Sequence, residues 1–165
     1  MVYIVMGVMG AGKTTIGRKL AKKLNCRFYD GDDYHSEFNR GKMSKGIPLT
    51  DKEREPWIFA IRSIIDLELA LKENAVITCS ALRERYRKTL MQARKDIVLI
   101  YLKADINTVE KRLKHRKGGF ANPSLLKSQF ETLEEPDDAL EADVRYSPEY
   151  VVKYIIKELE KRGSK

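Results

Sequence analysis

Residues 7–15 read Gly-Val-Met-Gly-Ala-Gly-Lys-Thr-Thr, a run whose residue types suit the binding of phosphate groups. Gly7, Gly12, Lys13 and Thr14 match the pattern G-x-x-x-x-G-K-[ST] of a phosphate-binding loop, or P-loop. Glycines allow the backbone to curl until successive N–H groups point at phosphate oxygens, at the positive end of the following helix. Lys13 would reach the β- and γ-phosphates of ATP, and the Thr14 hydroxyl would join a Mg²⁺ shell that also contains phosphate oxygens. The predicted nucleotide-binding residues are Gly7, Val8, Met9, Gly10, Ala11, Gly12, Lys13, Thr14 and Thr15.

The residues on either side of this loop support the assignment. The apolar run 2–6 precedes the loop, and an amphipathic run that repeats Ile16, Leu20 and Leu24 follows it. The loop therefore joins a predicted strand to a predicted helix, as a P-loop does. A dinucleotide-binding loop is the alternative, because Asp30 lies near the expected distance downstream. It fails on spacing, since its third glycine would have to stand at position 15, which is Thr15.

An acidic turn, Asp30-Gly31-Asp32-Asp33, follows the predicted strand 27–29. Ligands of an open α/β sheet collect at the carboxyl ends of the strands, so Asp30 and Asp32 would project into the crevice that the P-loop faces. One carboxylate could hold a water of the Mg²⁺ ion while the other accepts a proton from an attacking hydroxyl. The alternative is an Asp-Gly turn whose carboxylates are only solvated.

A polar segment with several cations lies between this turn and the long central helix. His35, Asn39, Lys42 and Arg54 belong to it, and few apolar residues interrupt them. Such a segment could bind a polyhydroxylated anion, or it could be a surface loop.

Further arginines stand in the second half of the chain. Arg83 and Arg87 are four residues apart, so they would share a helix face that could look into the cleft. The segment 112–120 reads Arg-Leu-Lys-His-Arg-Lys-Gly-Gly-Phe. It predicts a mobile lid whose Arg112 and Arg116 close over the ATP phosphates and stabilise charge in the transition state. The alternative is an ordinary helix end, where cations favour the negative end of the helix dipole and glycine stops the helix.

The order of apolar runs predicts the fold that would position these residues. The predicted strands are 2–6, 27–29, 75–79, 97–102 and 142–146, and helical patterns separate them. Thr50 with Glu53 suits a capping box, but Pro56 favours a start of the long helix at its own position, and Asp105 is predicted to cap the helix before the lid. We therefore predict an α/β fold of the P-loop NTPase type, a three-layer sandwich with a mainly parallel sheet of about five strands, helices on both faces and a lid. We expect a single domain over 1–165, with the lid at about 117–134.

Composition narrows the class of protein. The chain has 165 residues, of which 42% are hydrophobic and 34% are charged, as in a globular soluble protein. The net charge of +8 favours anionic partners, but the cations are interleaved with 24 acids, so we predict no nucleic-acid partner. No apolar run approaches the length of a membrane span, and no signal peptide precedes the first strand. The two cysteines form no C-x-x-C motif, so we expect a cytoplasmic protein without membrane contact.

Taken together, the motifs resemble those of gluconate kinases of the small P-loop type, relatives of shikimate and nucleoside monophosphate kinases. The resemblance runs collinearly over residues 1–136 and fades after Pro136. The matching residues are Gly7 to Thr14, Asp30-Gly31-Asp32, His35 with Asn39 and Lys42-Met43, Pro48-Leu49 with Asp51, Arg54 and Pro56-Trp57, Cys79-Ser80-Ala81-Leu82 with Tyr86-Arg87, Tyr101-Leu102-Lys103, and Gln129-Phe130-Glu131-Thr132-Leu133-Glu134 before Pro136.

The resemblance implies an activity and a set of roles. It implies transfer of the γ-phosphate of ATP, with Mg²⁺, to the 6-hydroxyl of D-gluconate by a cytosolic homodimer. Carried over to this chain, the metal-binding residues would be Thr14 and Asp30, the catalytic residues Lys13, Asp32 and Arg116, the substrate-binding residues Asp32, His35, Arg54 and Arg87, and the lid cations Arg112 and Arg116.

One departure from the family pattern bears on the acceptor. The family usually reads Arg-x-Gly-His-Phe at the lid, whereas this chain has Gly119 in place of the histidine. Kinases for another acceptor, such as shikimate, a different aldonate or a nucleotide, therefore stay open as alternatives. A regulatory or nucleic-acid-binding P-loop ATPase is the alternative from a different class, and it predicts salt-sensitive binding to RNA or DNA.

Overall fold

The computed structural model describes residues 1–114 and 122–163. The strands are β1 Val2–Met6, β2 Arg27–Asp30, β3 Ala75–Thr78, β4 Ile97–Lys103 and β5 Leu140–Asp143. The helices are α1 Lys13–Leu24, α2 Glu37–Ser44, α3 Asp51–Ala70, α4 Glu84–Met91, α5 Ile106–Lys114, α6 Leu125–Thr132 and α7 Pro148–Gly163, and a single 3₁₀ turn covers Gly31–Tyr34.

The five strands form one parallel sheet in the order β2-β3-β1-β4-β5. Strand β1 lies at the centre, where Val2 pairs with Ala75 on one side and with Ile97 on the other. Its residues form a continuous apolar run because helices cover both faces of a parallel sheet. The carboxyl ends of all five strands therefore meet at one edge, where the loops that follow β1, β2 and β3 lie side by side. The predicted P-loop α/β fold is confirmed.

Two apolar clusters, one on each face of the sheet, form the core. Val5 belongs to the cluster that includes Leu20 of α1 and Ile155 of α7. Ile4 belongs to the cluster that includes Ile61 of α3. Neighbouring residues of β1 thus point to opposite faces, as the alternation of side chains along a strand requires. In the described part of the chain, no helix is long and apolar enough to cross a membrane.

Helix α3 begins five residues earlier than the sequence predicts. Its first residue is Asp51, and Pro56 lies inside the helix instead of at its start. Thr50 caps the helix by accepting a hydrogen bond from the Glu53 N–H at 3.3 Å, while the Glu53 carboxylate accepts one from the Thr50 N–H at 2.7 Å. This reciprocal pair satisfies two backbone donors, which outweighs the preference of proline for the first helical position.

Candidate active site

The P-loop has the backbone conformation that phosphate binding needs. Gly10 and Gly12 adopt φ angles of 74° and 98°, in the left-handed region that favours glycine. A Cβ atom on Gly10 would lie 2.7 Å from Cγ1 of Val109, so a side chain at this position would displace α5. The Nζ atom of Lys13 donates a hydrogen bond to the carbonyl of Val8 at 3.0 Å, which keeps the ammonium group against the loop.

The carboxylate of Asp30 connects the P-loop to two strands. Its Oδ2 accepts a hydrogen bond from the Thr14 hydroxyl at 2.9 Å, and its Oδ1 accepts one from the Thr78 hydroxyl at 2.9 Å. The backbone N–H of Asp32 also donates to Oδ1, at 3.2 Å. Thr14 and Asp30 are thus brought together as predicted, whereas Thr78 was not predicted. Thr78 ends β3 and pairs in register with Asp30, so only the strand order makes it a neighbour.

A cleft of about 720 Å³ opens over the P-loop at the carboxyl edge of the sheet. Asp32 lines it, and so do Val144 and Tyr146 of the loop after β5, which the sequence did not indicate. The residues of the predicted nucleotide site that line the cleft are Met9, Gly10, Ala11, Gly12, Lys13, Thr14, Thr15 and Arg112. The described cleft wall does not include Gly7 or Val8, since both are buried at the start of the loop.

Arg112 lies on α5 and contacts the P-loop, and its predicted action on the ATP phosphates stays a prediction. Its Nη1 donates to the carbonyl of Ala11 at 3.4 Å, and its Nη2 donates to the carbonyl of Val144. The guanidinium therefore bridges the P-loop and the loop after β5. Arg116, the second predicted lid cation, lies outside the described residues, as does residue 119.

A second, smaller cavity of about 50 Å³ adjoins the first. His35, Arg54 and Trp57 line it. The rings of His35 and Trp57 stack with their centroids 4.3 Å apart, and the Trp57 indole donates to the carbonyl of Gly31 at 2.7 Å. A Cβ atom on Gly31 would lie 2.1 Å from the carbonyl oxygen of Thr78, so only glycine allows this close approach. The acidic turn and α3 are thereby locked together.

His35 is neutral near pH 7. Its burial, together with the cations Arg40 and Arg54, lowers the pKa of the imidazole from its usual 6.5 to about 4. Desolvation penalises the imidazolium first, and the two guanidinium groups add repulsion. His35 can therefore offer hydrogen bonds to a ligand but no charge.

Positive charge beside the second cavity comes instead from arginines gathered around one carboxylate. Asp51 forms ion pairs with Arg54 and Arg83, both at 3.6 Å, and with Arg85. The Tyr86 hydroxyl also donates to Asp51. Three guanidinium groups share one carboxylate, so the cluster keeps a net positive charge that suits an anionic ligand.

Known proteins match both the sequence and this geometry. The family model for shikimate kinase matches residues 9–160. A probable gluconokinase of Mus musculus is 42% identical over 82% of this chain and 83% of its own, and the thermoresistant gluconokinase of Escherichia coli is 38% identical over 97% and 94%. Among solved structures, a sugar kinase of Janibacter sp. is 35% identical with a TM-score of 0.89, covering 96% of this chain and 94% of its own. A gluconokinase of Sinorhizobium meliloti is 36% identical with a TM-score of 0.81, covering 92% and 87%.

The chain belongs to the gluconokinase family of small P-loop kinases. The resemblance found in the sequence motifs is thereby confirmed, and so is the predicted enzyme class, a phosphotransferase with an alcohol acceptor. The larger cleft is lined by the P-loop, and the smaller cavity is lined by His35 and Arg54, which the motifs predicted to bind the acceptor. We call these the nucleotide cavity and the acceptor cavity.

Arg87 does not take the place that the sequence predicted for it. Its side chain is only 6% exposed and lines neither the nucleotide cavity nor the acceptor cavity. Its Nη1 donates to the carbonyls of Ala81 and Leu82, both at 3.1 Å. Helix α4 begins at Glu84, so Arg83 lies at the helix cap and turns toward Asp51 while Arg87 turns inward. The predicted shared face of the two arginines is wrong.

Four residues line both cavities and so form a junction between them: His35, Met43, Ser80 and Gln129. A group transferred from the P-loop side to the acceptor side has to pass this junction. The sequence motifs indicate a substrate-binding role for His35 but none for Gln129, although Gln129 lies inside a motif of the family. The neighbouring Cys79 is no nucleophile, because its complete burial raises the pKa of the thiol to about 12.

The described part of the predicted lid is packed onto the domain. Helix α6 buries Leu125 and Leu126 in the core, and the N–H of Asn122 donates to the carbonyl of Met43 at 3.0 Å. The N–H of Met9 in the P-loop donates to Oε1 of Gln129 at 2.7 Å. Residues 117–121 of the predicted lid lie outside the described residues.

Proposed function

We propose that this protein transfers the γ-phosphate of ATP to the 6-hydroxyl of D-gluconate, giving 6-phosphogluconate. The observation that carries the proposal is the junction, where the P-loop cavity, lined by Asp30 and Asp32, meets a cavity lined by the cation Arg54 and the neutral His35. Both relatives named above carry the name gluconokinase, and each is covered over more than two thirds of its length. In-line transfer without a covalent enzyme intermediate suits a site that offers positioning and charge.

The nucleotide phosphates would bind to the backbone N–H groups of the P-loop. Lys13 would leave the carbonyl of Val8 and reach the β- and γ-phosphates, where its ammonium group stabilises the charge that develops during transfer. Arg112 already lies over the loop and would neutralise the phosphates from the other side. Arg116 is proposed as the second cation, on the strength of the family pattern alone.

The hydroxyl of Thr14 and the carboxylate of Asp30 fit Mg²⁺, which prefers hard oxygen ligands and keeps several waters. Within the described residues, no cluster of three histidine, cysteine or acidic side chains could hold a metal by itself. A Mg²⁺ ion would therefore depend on phosphate oxygens for the rest of its shell, as an ion that arrives with ATP does. When bound, it neutralises charge on the β- and γ-phosphates. Thr78 and the N–H of Asp32 hold the Asp30 carboxylate in place for this role.

Asp32 is proposed to orient the acceptor hydroxyl and to accept its proton. It lies in the turn that follows β2, three residues before His35, and it lines the nucleotide cavity. A carboxylate there can accept a hydrogen bond from the hydroxyl before transfer and take the proton as the new phosphate ester bond forms.

The sugar acid is proposed to bind in the acceptor cavity. Arg54 would meet its carboxylate, since guanidinium and carboxylate groups form strong paired hydrogen bonds. The ion pair with Asp51 would hold the Arg54 guanidinium in place. His35 would hydrogen-bond the hydroxyl groups without adding charge, because its pKa is lowered to about 4. The cavity has to widen when gluconate binds, as its present volume is about 50 Å³.

We further propose a cytoplasmic homodimer. Phe59 and Leu67 of α3 are exposed over 60% and 54% of their surfaces, which suits a contact with a second copy. Both cysteines are free thiols, in keeping with a reducing compartment. Light scattering of the purified protein at micromolar concentration measures the oligomeric state, and a monomer would contradict the dimer.

A coupled assay of ADP release tests the proposed activity. The protein is given ATP and Mg²⁺ with D-gluconate, other aldonic acids, shikimate, AMP or no acceptor. We expect turnover confined to gluconate, which would also make Gly119 a tolerated change in the lid. Turnover on a different acid would keep the kinase chemistry and move the acceptor assignment. Equal ADP release without any acceptor would contradict the proposal and favour an ATPase.

A further inference from the structure

Gln129 is a polar side chain that connects the P-loop to the helix after the predicted lid. Its Oε1 accepts the N–H of Met9 at 2.7 Å, although 120 residues separate the two in sequence. Met9 stands in the middle of the P-loop, so this hydrogen bond fixes the loop against α6. The Gln129 side chain is carried by a firmly packed helix, because Leu125 and Leu126 bury one face of α6 in the core.

The position of Gln129 in the cleft is the second observation. Gln129 lines the nucleotide cavity together with Lys13 and Asp32, and it lines the acceptor cavity together with Arg54. Few side chains touch both spaces, and the phosphoryl group has to move between them. A hydrogen-bonding group at this point can contact an acceptor close to its reacting hydroxyl.

The chemistry of the carboxamide leaves a donor for that contact. An amide side chain has one accepting oxygen and two N–H donors on its nitrogen. The oxygen is engaged by Met9, which also determines the orientation of the amide. Among the hydrogen bonds of the described residues, none is donated by the Gln129 Nε2. A neutral donor in this place suits a hydroxyl group, since it adds no charge that would compete with Lys13 for the phosphates.

We infer that Gln129 positions the acceptor: its oxygen holds the P-loop at Met9, while its amide nitrogen donates a hydrogen bond to an acceptor hydroxyl beside the reacting one. This inference rests on the proposed function for the identity of the acceptor. In this arrangement one side chain contacts both the P-loop and the acceptor, and so fixes their positions relative to each other.

Two substitutions of Gln129 distinguish the function of its oxygen, which binds the Met9 N–H, from the function of its amide nitrogen, which would bind the acceptor. Gln129→Glu keeps an oxygen for the Met9 N–H and removes the donor. Gln129→Met has a similar length, removes both groups and adds no charge, so it controls for the charge of glutamate. Glu131→Gln is the matched control, because Glu131 lies on the exposed side of the same helix. Each variant is compared with the wild type for acceptor KM, ATP KM, kcat and thermal midpoint.

We expect the acceptor KM to rise about tenfold in both Gln129 variants, the size of effect that one lost hydrogen bond produces. The thermal midpoint should fall by several degrees only in Gln129→Met, since only that variant leaves the Met9 N–H without its acceptor. The control should match the wild type in every measurement.

Other results would overturn the inference. A normal acceptor KM in Gln129→Glu would show that only the oxygen matters and that the residue is structural. The same conclusion follows if the activity of both variants falls only in parallel with stability. The proposed function is judged separately, by the turnover of the wild type. If the wild type phosphorylates a different acid, the KM comparison is made with that acid, and if it phosphorylates none, both proposals fail.

Discussion

The two sides of the cleft are built in different ways. The nucleotide side is made mainly of backbone, from one run of consecutive residues whose glycines adopt φ angles that other residues avoid. The acceptor side is made of side chains from separate segments: His35 after β2, Arg54 and Trp57 on α3, and Gln129 on α6. A site that binds its ligand through backbone groups depends on the conformation of the loop. A site that binds through side chains can change its preferred ligand when single residues are substituted. We therefore expect nucleotide binding to be general and acceptor choice to be specific to this chain.

Lys13→Ala should produce the largest effect and test the nucleotide side. We expect kcat to fall about a thousandfold, because the ammonium group stabilises charge that develops in the transition state. The unfolding midpoint should stay near the wild-type value, since Lys13 lines the open cleft and the hydrogen bond from its ammonium group to the carbonyl of Val8 lies within the loop. The rate of ADP release and circular dichroism measure the two quantities.

Lys22→Ala is the matched control for this substitution, since Lys22 lies on the same helix and is exposed. It removes the same charge from the protein without touching the cleft, so it should leave kcat unchanged. Substantial turnover in Lys13→Ala would contradict the role of the P-loop.

Arg54→Met should produce the next largest effect and test the acceptor side. We expect the acceptor KM to rise about 10- to 100-fold while the ATP KM changes little, because a charge-assisted hydrogen bond to the sugar acid is lost. Initial rates over a grid of both substrates separate the two KM values. Lys52→Met, two residues earlier on an exposed face of α3, serves as the control. An equal rise in both KM values would place Arg54 at the phosphates and remove the distinction between the two sides.

Arg87→Met tests the comparison of the two cavities from outside them, because Arg87 lines neither the nucleotide cavity nor the acceptor cavity. Its guanidinium is buried against the carbonyls of Ala81 and Leu82, so its loss should lower the free energy of unfolding by about 2 kcal/mol. The acceptor KM should stay within about twofold of wild type, since Arg87 lines neither cavity. Urea unfolding and initial rates measure these quantities. A large rise in acceptor KM at unchanged stability would restore Arg87 to the substrate site.

The smallest expected effect is a decrease in the free energy of unfolding on acidification, caused by His35. The pKa of His35 is lowered to about 4 in the fold, so the unfolded chain binds the extra proton first as the pH falls below 6.5. Protonation of His35 in the unfolded chain therefore lowers the free energy of unfolding as the pH falls from 6.5 toward 4. The decrease between pH 7 and about pH 5.5 is about 1 kcal/mol. His35→Gln should lose this part of the dependence. Urea unfolding at both pH values checks it, and identical slopes in the two proteins would show that His35 is not buried as described.

Short-range patterns were enough to predict much of the fold and the nucleotide side. The predicted strands overlap all five observed ones, and the three inner strands β1, β3 and β4 were recognisable because strands buried on both faces of a parallel sheet are continuous apolar runs. Strand β5 is the least accurate, predicted at 142–146 and observed at Leu140–Asp143, since it is a short strand at the edge of the sheet. The P-loop was recognisable because its function depends on residues that are adjacent in sequence.

The acceptor side was predicted only in part. His35 and Arg54 were proposed and lie in one cavity, but Arg87 turns away from it and Gln129 was overlooked. A charge in a sequence does not show the direction of its side chain, which depends on where a helix begins. Helix α4 begins at Glu84, one residue after Arg83, and this single boundary sends the two arginines to different places.

The sequence by itself determined the apolar strands, the glycine loop and the hydroxyl and carboxylate groups that follow them, because these features depend on neighbours a few residues away. Only the tertiary structure decided which distant side chains meet. Thr78 reaches Asp30 because β3 pairs with β2, and Gln129 reaches Met9 because α6 packs beside the P-loop. Such contacts follow from strand order and helix packing, which arise from burying both faces of the sheet at once. No local pattern contains that information.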